Sequence, residues 1–466
     1  MTRVISDYRF VIFLVGLTQL IVTIDFSIVT VALPSIGHQL RVPPAALSWI
    51  ISAGALAGGG LLILAGRAAD IFGQRLCLLV GLTLFGAGSL AAAGSPDLPV
   101  LIAARALQGV GGAVLGPANF SLINVLVPEG APRRLALGVF GLMQGLSLVI
   151  GLLIGGALTT HLGWRSAFLL NPPLALLAIV LTLRCVPKAQ SAPHLDRDID
   201  WLGAVLITTA MALLLLGVSA MGKEGWTAPR PLAMLVGGIA VFALFFVAES
   251  RARAPLAPVS MFRRRNYAAA NVMMPLLLVA VGGVFVLLSI YMQTSLKMSA
   301  MQSGLGMMPY AIAVMVAGQA LAPLMARLPN RVIVFGASGL FVLGVTLLAM
   351  LSQQPNYWLA IALGSVVTAL GSATAFIALL AEATADIPAS QQGAASAVMF
   401  TFQAIGIPLG ATVALSILGL AGPSAGLTAF RDAYLVLAAT VFLALAFGVV
   451  ALRSSSNVQV ADVVLS

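Results

Sequence analysis

Asp25 is a carboxylate inside the first long apolar run of the chain, in the stretch Ile24-Asp25-Phe26-Ser27-Ile28-Val29-Thr30-Val31-Ala32-Leu33-Pro34. An acid at the centre of a bilayer costs about 2.5–3.5 kcal/mol on insertion scales, so one found there is expected to serve a function or to meet a partner. A carboxylate keeps a proton when desolvated and gives it up beside a cation or open water. Asp25 is therefore the first candidate for carrying a proton. The alternative is a structural hydrogen bond to a Ser, Thr or Gln of a neighbouring span.

A second polar stripe lies in Leu101-Ile102-Ala103-Ala104-Arg105-Ala106-Leu107-Gln108-Gly109-Val110-Gly111-Gly112. Arg105 and Gln108 are three residues apart and Gly109 follows, so on a helix the three share roughly one face. Such a face suits the interior of a helix bundle, although an arginine near a helix end can also reach the interface. A third passage, Gly66-Arg67-Ala68-Ala69-Asp70-Ile71-Phe72-Gly73-Gln74-Arg75, has glycines that permit a tight turn. Asp70 there can face a helix N-terminus or an arginine, and Arg75 a lipid headgroup or a carboxylate.

The amides Gln19, Gln108, Asn119, Gln144, Asn271, Gln293 and Gln403 are candidates to line a cavity, with Phe and Met between them. Helix–helix hydrogen bonding is the competing role for each. Glu382 and Asp386 read as loop residues between the twelfth and thirteenth spans. The two Cys and three His form no metal-ligand spacing. No nucleophile–base pair or acid cluster marks an enzyme.

The elements that hold these residues follow from composition. Of 466 residues, 60% are apolar and 8% charged, where a soluble domain carries roughly 25% charged residues. The bilayer must be the solvent. A helix needs about 20 apolar residues to cross the hydrocarbon. Such runs fall near 10–33, 47–66, 76–94, 99–119, 135–159, 166–184 and 201–221. They continue near 231–248, 268–292, 304–326, 331–351, 357–380, 394–418 and 433–452. Barrel strands are excluded, because those segments are short and alternate in polarity. The chain is thus expected to be an all-α polytopic membrane protein of fourteen spans, the first of them retained rather than cleaved as a signal.

The net charge of +10 is distributed along the loops. With the N-terminus inside, most Lys and Arg fall on the inner side. Only Arg41, Arg165, Lys223, Arg230, Lys297 and Arg431 fall outside. That is the positive-inside pattern, with both termini cytoplasmic, and not a nucleic-acid stripe. The long polar connections 185–200 and 249–267 divide the chain into a six-helix bundle (1–186), linkers with an inserted helix pair (187–265), and a second six-helix bundle with a tail (266–466). Two six-span halves around a midplane site is a transporter plan.

Taken together, these passages resemble the major facilitator superfamily, and specifically its fourteen-span drug:proton antiporter family. The Asp25–Pro34 stretch is similar to the first-span motif, Gly66–Arg75 to the cytoplasmic loop motif, and Arg105–Gly112 to the fourth-span motif. Trp164-Arg165, Phe168, Asn171-Pro172, Tyr291-Met292-Gln293, Gly304, Pro309 and Gly393 add to the likeness. The resemblance implies alternating access and proton-coupled efflux of hydrophobic or amphipathic molecules such as antibiotics and dyes. It implies Asp25 as coupling acid, Arg105 and Gln108 as its charge relay, and gating by Gly66, Asp70, Gly73, Arg75, Gly151, Gly155 and Gly156. A small-molecule substrate and membrane lipids are the implied partners, with no nucleic acid. The implied setting is a monomer in the cell membrane, energised by a proton gradient without a cofactor. One departure stands out. Gly151-Leu152-Leu153-Ile154-Gly155-Gly156 keeps the fifth-span glycines but has Leu152 where that family has proline. The substitution lends weight to an uncoupled facilitator, and an exporter dedicated to one endogenous metabolite is the other alternative within transport.

Overall fold

The computed structural model describes residues 8–59, 61, 65, 72–128, 130–187, 200–225, 227–252, 259–325, 327–353, 356–384, 387, 392–421 and 426–452. Among the described residues all regular structure is helical. The N-terminal set comprises α1 (Tyr8–Leu40), α2 (Pro44–Gly59), α3 (Gln74–Ala93), α4 (Leu98–Leu126), α5 (Ala131–Leu162), α6 (Trp164–Leu169) and α7 (Asn171–Cys185). Next come α8 (Trp201–Glu224) and α9 (Pro229–Glu249). The C-terminal set comprises α10 (Arg265–Thr294), α11 (Ala300–Gly306), α12 (Met308–Met325), α13 (Asn330–Leu351), α14 (Gly364–Thr384), α15 (Gln392–Leu420) and α16 (Leu427–Ala451).

Twelve of the described helical stretches are long and apolar enough to cross a membrane, and two shorter apolar helices, Ala46–Gly59 and Gly406–Leu420, accompany them. Every apolar run in the sequence coincides with a helix, but three runs are not single regular helices. The sixth breaks at Leu170, where Pro172 and Pro173 open α7. Proline has no N–H to donate into a preceding turn, so it suits the start of a helix and not its middle. The tenth breaks at Met307 between α11 and α12, and a π-helical turn at Tyr357–Leu363 leads into α14.

Two helices form the axis. The most apolar windows of α1 and α10 are 72% and 83% buried, whereas that of α9 is 17% buried and faces outward. Apolar side chains facing lipid gain nothing from association, so the close packing of the axis comes from small residues and polar bonds. The α8–α9 pair packs through Ile207 and Met211 of α8 against Phe245 of α9. It also straddles the seam between the two sets. Ile207 and Met211 of α8 cluster with Leu56 of α2, and Ser416 of α15 donates to the Val218 carbonyl of α8 at 3.1 Å.

The two sets meet directly as well. Phe26 of α1 stacks on Phe285 of α10, ring centroids 5.4 Å apart. Ser52 of α2 bonds Thr412 of α15 at 2.8 Å, and the backbone N–H of Met301 donates to Thr160 of α5 at 2.9 Å.

Candidate functional site

Asp25 sits on the inward face of α1, 6% exposed, and receives three side-chain donors. Nη1 of Arg105 reaches Oδ2 at 2.6 Å. Nε2 of Gln108 and Nδ2 of Asn171 reach Oδ1 at 2.7 and 2.9 Å. Arg105, 7% exposed, also donates through Nη1 to Oε1 of Gln108 at 2.6 Å and through Nε to the Ile50 carbonyl at 2.9 Å. Its guanidinium carbon lies 5.9 Å from the centre of the Phe168 ring. A buried ion pair is tolerable only when hydrogen bonds offset its desolvation. Here Ile50 of α2, Gln108 of α4 and Asn171 of α7 engage Nε and Nη1 of Arg105 and the carboxylate of Asp25.

Close helix approach makes this geometry possible. A Cβ at Gly109 of α4 would overlap the Gly54 carbonyl of α2, so only glycine lets the two backbones come that near. That approach brings Arg105 within reach of Ile50. On the other flank of α4, a Cβ at Gly88 of α3 would lie 2.7 Å from the backbone nitrogen of Gln108. The Arg-Gln-Gly stripe is thus gripped on both sides, and the face inferred from its spacing is the face that meets Asp25.

Two members of the network are not among the expected site residues, although Asn171 stands in the Asn171-Pro172 likeness. Asn171 bonds both Asp25 and, at 3.0 Å, Ser89 of α3. Ser89 donates to the Phe168 carbonyl at 2.9 Å. The break in the sixth span carries the signal for Asn171, because an Asn directly before two prolines sits where a helix starts at membrane depth. Ser89 has no such signal.

The fifth-span glycines divide between two neighbours. A Cβ at Gly151 would overlap Ser27 Oγ, and one at Gly155 would lie 2.9 Å from the Ile28 Cα, both on α1. A Cβ at Gly156 would lie 2.8 Å from the Ala300 carbonyl oxygen and the Met301 Cα of α11. Gly304 of α11 faces the Leu152 carbonyl in return. The helix therefore serves both the N-terminal set and the seam. Of the loop motif, Gly66 and Asp70 lie outside the described residues. Gly73 caps α3 with φ 87°, and Arg75 donates to the Leu183 carbonyl in the last turn of α7 at 3.0 Å.

The other candidate amides do not converge. Gln19 bonds Thr23 one turn along α1 at 2.8 Å. Asn119 accepts from Thr18 at 2.7 Å, tying α4 to α1, and Asn271 donates to the Tyr267 carbonyl at 2.8 Å. Gln293 crosses the seam to the Val31 carbonyl at 3.0 Å. The side chains of Gln144 and Gln403 lie outside the described residues. Glu382 departs from its place in the sequence reading. It lies within α14, 1% exposed, and accepts from Asn266 of α10 at 2.9 Å. The helix runs past the end of the apolar stretch because Ala381 and Ala383 around the acid favour helix.

Known proteins share this architecture and sequence. A family description, Major Facilitator Superfamily, matches residues 15–411. The puromycin resistance protein pur8 of Streptomyces alboniger is 34% identical over 84% of this chain and 78% of its own. The cephamycin export protein CmcT of Amycolatopsis lactamdurans is 33% identical over 86% of this chain and 82% of its own. A bacterial homologue of the human lysosomal transporter Spinster, solved inward-facing and unoccupied, superposes with a TM-score of 0.67 at 16% identity, covering 95% of this chain and 96% of that one. Match length, sequence identity and helical architecture agree, and the chain is a multi-pass membrane transporter that belongs to the Major Facilitator Superfamily.

Proposed function

We propose that this protein exports hydrophobic or amphipathic small molecules, antibiotics among them, in exchange for protons. Relatives named for puromycin resistance, cephamycin export and lincomycin resistance support the cargo class. The observation that carries the coupling is the buried Asp25 carboxylate, held by Arg105, Gln108 and Asn171. All three partners donate to it, which suits a carboxylate anion. A proton arriving on Asp25 removes the charge that holds Arg105 and sets an O–H among donors. Arg105 then loosens from α1 while still bonded to Ile50 of α2. Loss of the proton restores the pair. Proton occupancy is in this way tied to the bonding between α1, α4 and α7, and one charge crossing 100 mV supplies about 2.3 kcal/mol to drive the exchange.

The chain on this reading crosses the cell membrane fourteen times with both termini cytoplasmic. Residues 1–186 and 266–466 form the two six-span bundles, and 187–265 the linkers and inserted pair. The two shorter apolar helices, in α2 and α15, supply the spans beyond the twelve. Loop arginines support the orientation. The protein then works as a monomer among membrane lipids, with the proton gradient as its energy source and no cofactor.

The test is dye or antibiotic uptake into inverted vesicles under an imposed pH gradient, comparing the wild type with Asp25→Asn at equal expression. Gradient-driven uptake lost in the variant is the expected result. Uptake that persists removes Asp25 as coupling acid. No uptake of any compound by the wild type favours a carrier dedicated to one metabolite.

A further inference from the structure

At the end of the molecule where α1 and α10 both stop, the two sets part around a cavity of about 880 Å³. Its walls come from the last turns of α1, the α5–α6 junction, the end of α10 and the 295–299 segment that leads into α11. A volume of this order accepts a drug-sized organic molecule. Along α1 it is separated from Asp25 by Phe26, which stacks on Phe285, and by Thr30 and Val31, whose carbonyls accept bonds from α10.

Lys297 is the one charged side chain among the described residues that line it, and His38 stands with it. His38 and Lys297 both line the cavity, both are exposed, and neither has a hydrogen-bond or ion-pair partner among the described residues. No acidic side chain among the described residues lines it. Gln39 is already committed, since its carbonyl oxygen accepts from the indole N–H of Trp164 and from Arg165. Thr159 adds a buried hydroxyl with no partner, while the Gln293 amide nitrogen already donates to Val31 and Ser289.

A second, independent observation concerns the backbone under the lysine. Lys297 has φ 56°, in the left-handed region that side chains with a Cβ rarely adopt. The N–H of Met298 bonds back to the Met292 carbonyl at 3.0 Å, closing α10 in a turn whose left-handed position is normally glycine. The end of α1 repeats the feature. Arg41 has φ 52°, and the N–H of Val42 reaches the Gly37 carbonyl at 3.1 Å. Among the described residues these are the only non-glycine residues with positive φ, and both are basic. The first span of each set thus ends with a cation where glycine would relax the chain.

We propose that this cavity is a binding site for an amphipathic organic monoanion, a carboxylate or sulfonate on an apolar ring body, held by Lys297 and His38. Both sets build its walls, so an anion bound there favours the arrangement in which they meet at this end. The proposal does not depend on which molecule the protein transports, nor on proton coupling.

The test is a fluorescence titration of the purified full-length protein with dansylglycine, a carboxylate, and with dansylamide, its neutral counterpart. Saturable dansylglycine binding at least tenfold tighter than dansylamide is expected. Lys297→Gly should weaken dansylglycine at least tenfold, His38→Gln by a smaller factor, and Lys297→Arg little. Because glycine relaxes the turn, Lys297→Gly should melt no lower than wild type. Equal binding of the two probes, or undiminished dansylglycine binding by Lys297→Gly, overturns the proposal. A lower melting temperature for Lys297→Gly also counts against it, since the lysine would then support the turn. Asp25→Asn separates this idea from the coupling reading: dansylglycine binding should survive in it whether or not transport does.

Discussion

The Ser289 hydroxyl of α10 donates at 3.1 Å to the Thr30 carbonyl of α1, which is the carbonyl that Pro34 leaves without an intrahelical donor. Proline lacks the N–H that would reach back four residues, so the freed oxygen needs another partner. Gln293, one turn further along α10, bonds the adjacent Val31 carbonyl at 3.0 Å. Side-chain donors from one set thus complete the proline-interrupted turn of a helix in the other. Each bond contributes about 0.5–1.5 kcal/mol, small enough to be broken and remade in a transport cycle.

Ser289→Ala should therefore loosen the two sets at this end without unfolding either one. A cysteine placed by Thr294→Cys, in protein freed of Cys77 and Cys185, reports the change through its rate of labelling by a membrane-impermeant maleimide. Loss of one such bond corresponds to a roughly two- to tenfold rise in the open population. Pro34→Ala should act in the same direction, since an N–H at that position competes for the Thr30 carbonyl. Identical labelling in all three proteins would show that the bond does not hold the seam.

The Asp25–Arg105 pair makes a separate prediction about stability. Asp25→Leu strips a buried guanidinium of its counter-charge, and removing one partner of a buried pair typically costs about 3–5 kcal/mol. Arg105→Met in the same chain removes the stranded charge. The single variant should melt well below wild type and the double variant should recover much of the loss, while neither transports against a gradient. A double variant as unstable as the single one would place the damage in packing rather than in charge.

Asn171 is a positioning residue by the same geometry, because it reaches Asp25 and Ser89 with one amide. Asn171→Leu removes a hydrogen bond to a charged group, an interaction of about 1.5–3 kcal/mol. Gradient-driven uptake should fall at least several-fold at equal expression. Asn171→Gln, whose longer chain cannot satisfy both partners, should rescue it only in part. Wild-type uptake by Asn171→Leu would leave the carboxylate sufficiently held by Arg105 and Gln108 alone.

How much of this was legible beforehand differs between the helices and their contacts. A run of about twenty apolar residues has few alternatives to a spanning helix, so the runs around Asp25, Arg105 and Asn271 all mark helices. Which face of each helix meets a neighbour is harder, because a membrane helix is apolar on every side and periodicity says little. Arg105 and Gln108 were readable because a charge and an amide stacked beside Gly109 on one face favour the bundle interior. Gln19 and Asn271 were not, because an amide is equally content to bond its own helix. The burial of Glu382 was hidden for a related reason. Its partner Asn266 lies over a hundred residues away, at the start of another helix, and no local pattern links them.

Gly151 and Gly156 belong to one motif but face different neighbours, and the two should fail differently. A Cβ at Gly151 meets Ser27 inside the N-terminal set, whereas a Cβ at Gly156 meets the α11 backbone across the seam. Overpacking a close helix contact costs typically about 1–3 kcal/mol. For Gly151→Ala that cost falls on the folded N-terminal set, so the melting temperature should drop while maleimide labelling at Thr294→Cys stays near the parent value. For Gly156→Ala the backbone at Ala300 and Met301 cannot rotate aside as a side chain could, so relief comes by separating the sets. Labelling should then rise, as with Ser289→Ala, with little change in melting temperature. If both glycine variants behave alike in both measurements, the fifth-span helix has a single packing role and the division between its two faces is wrong.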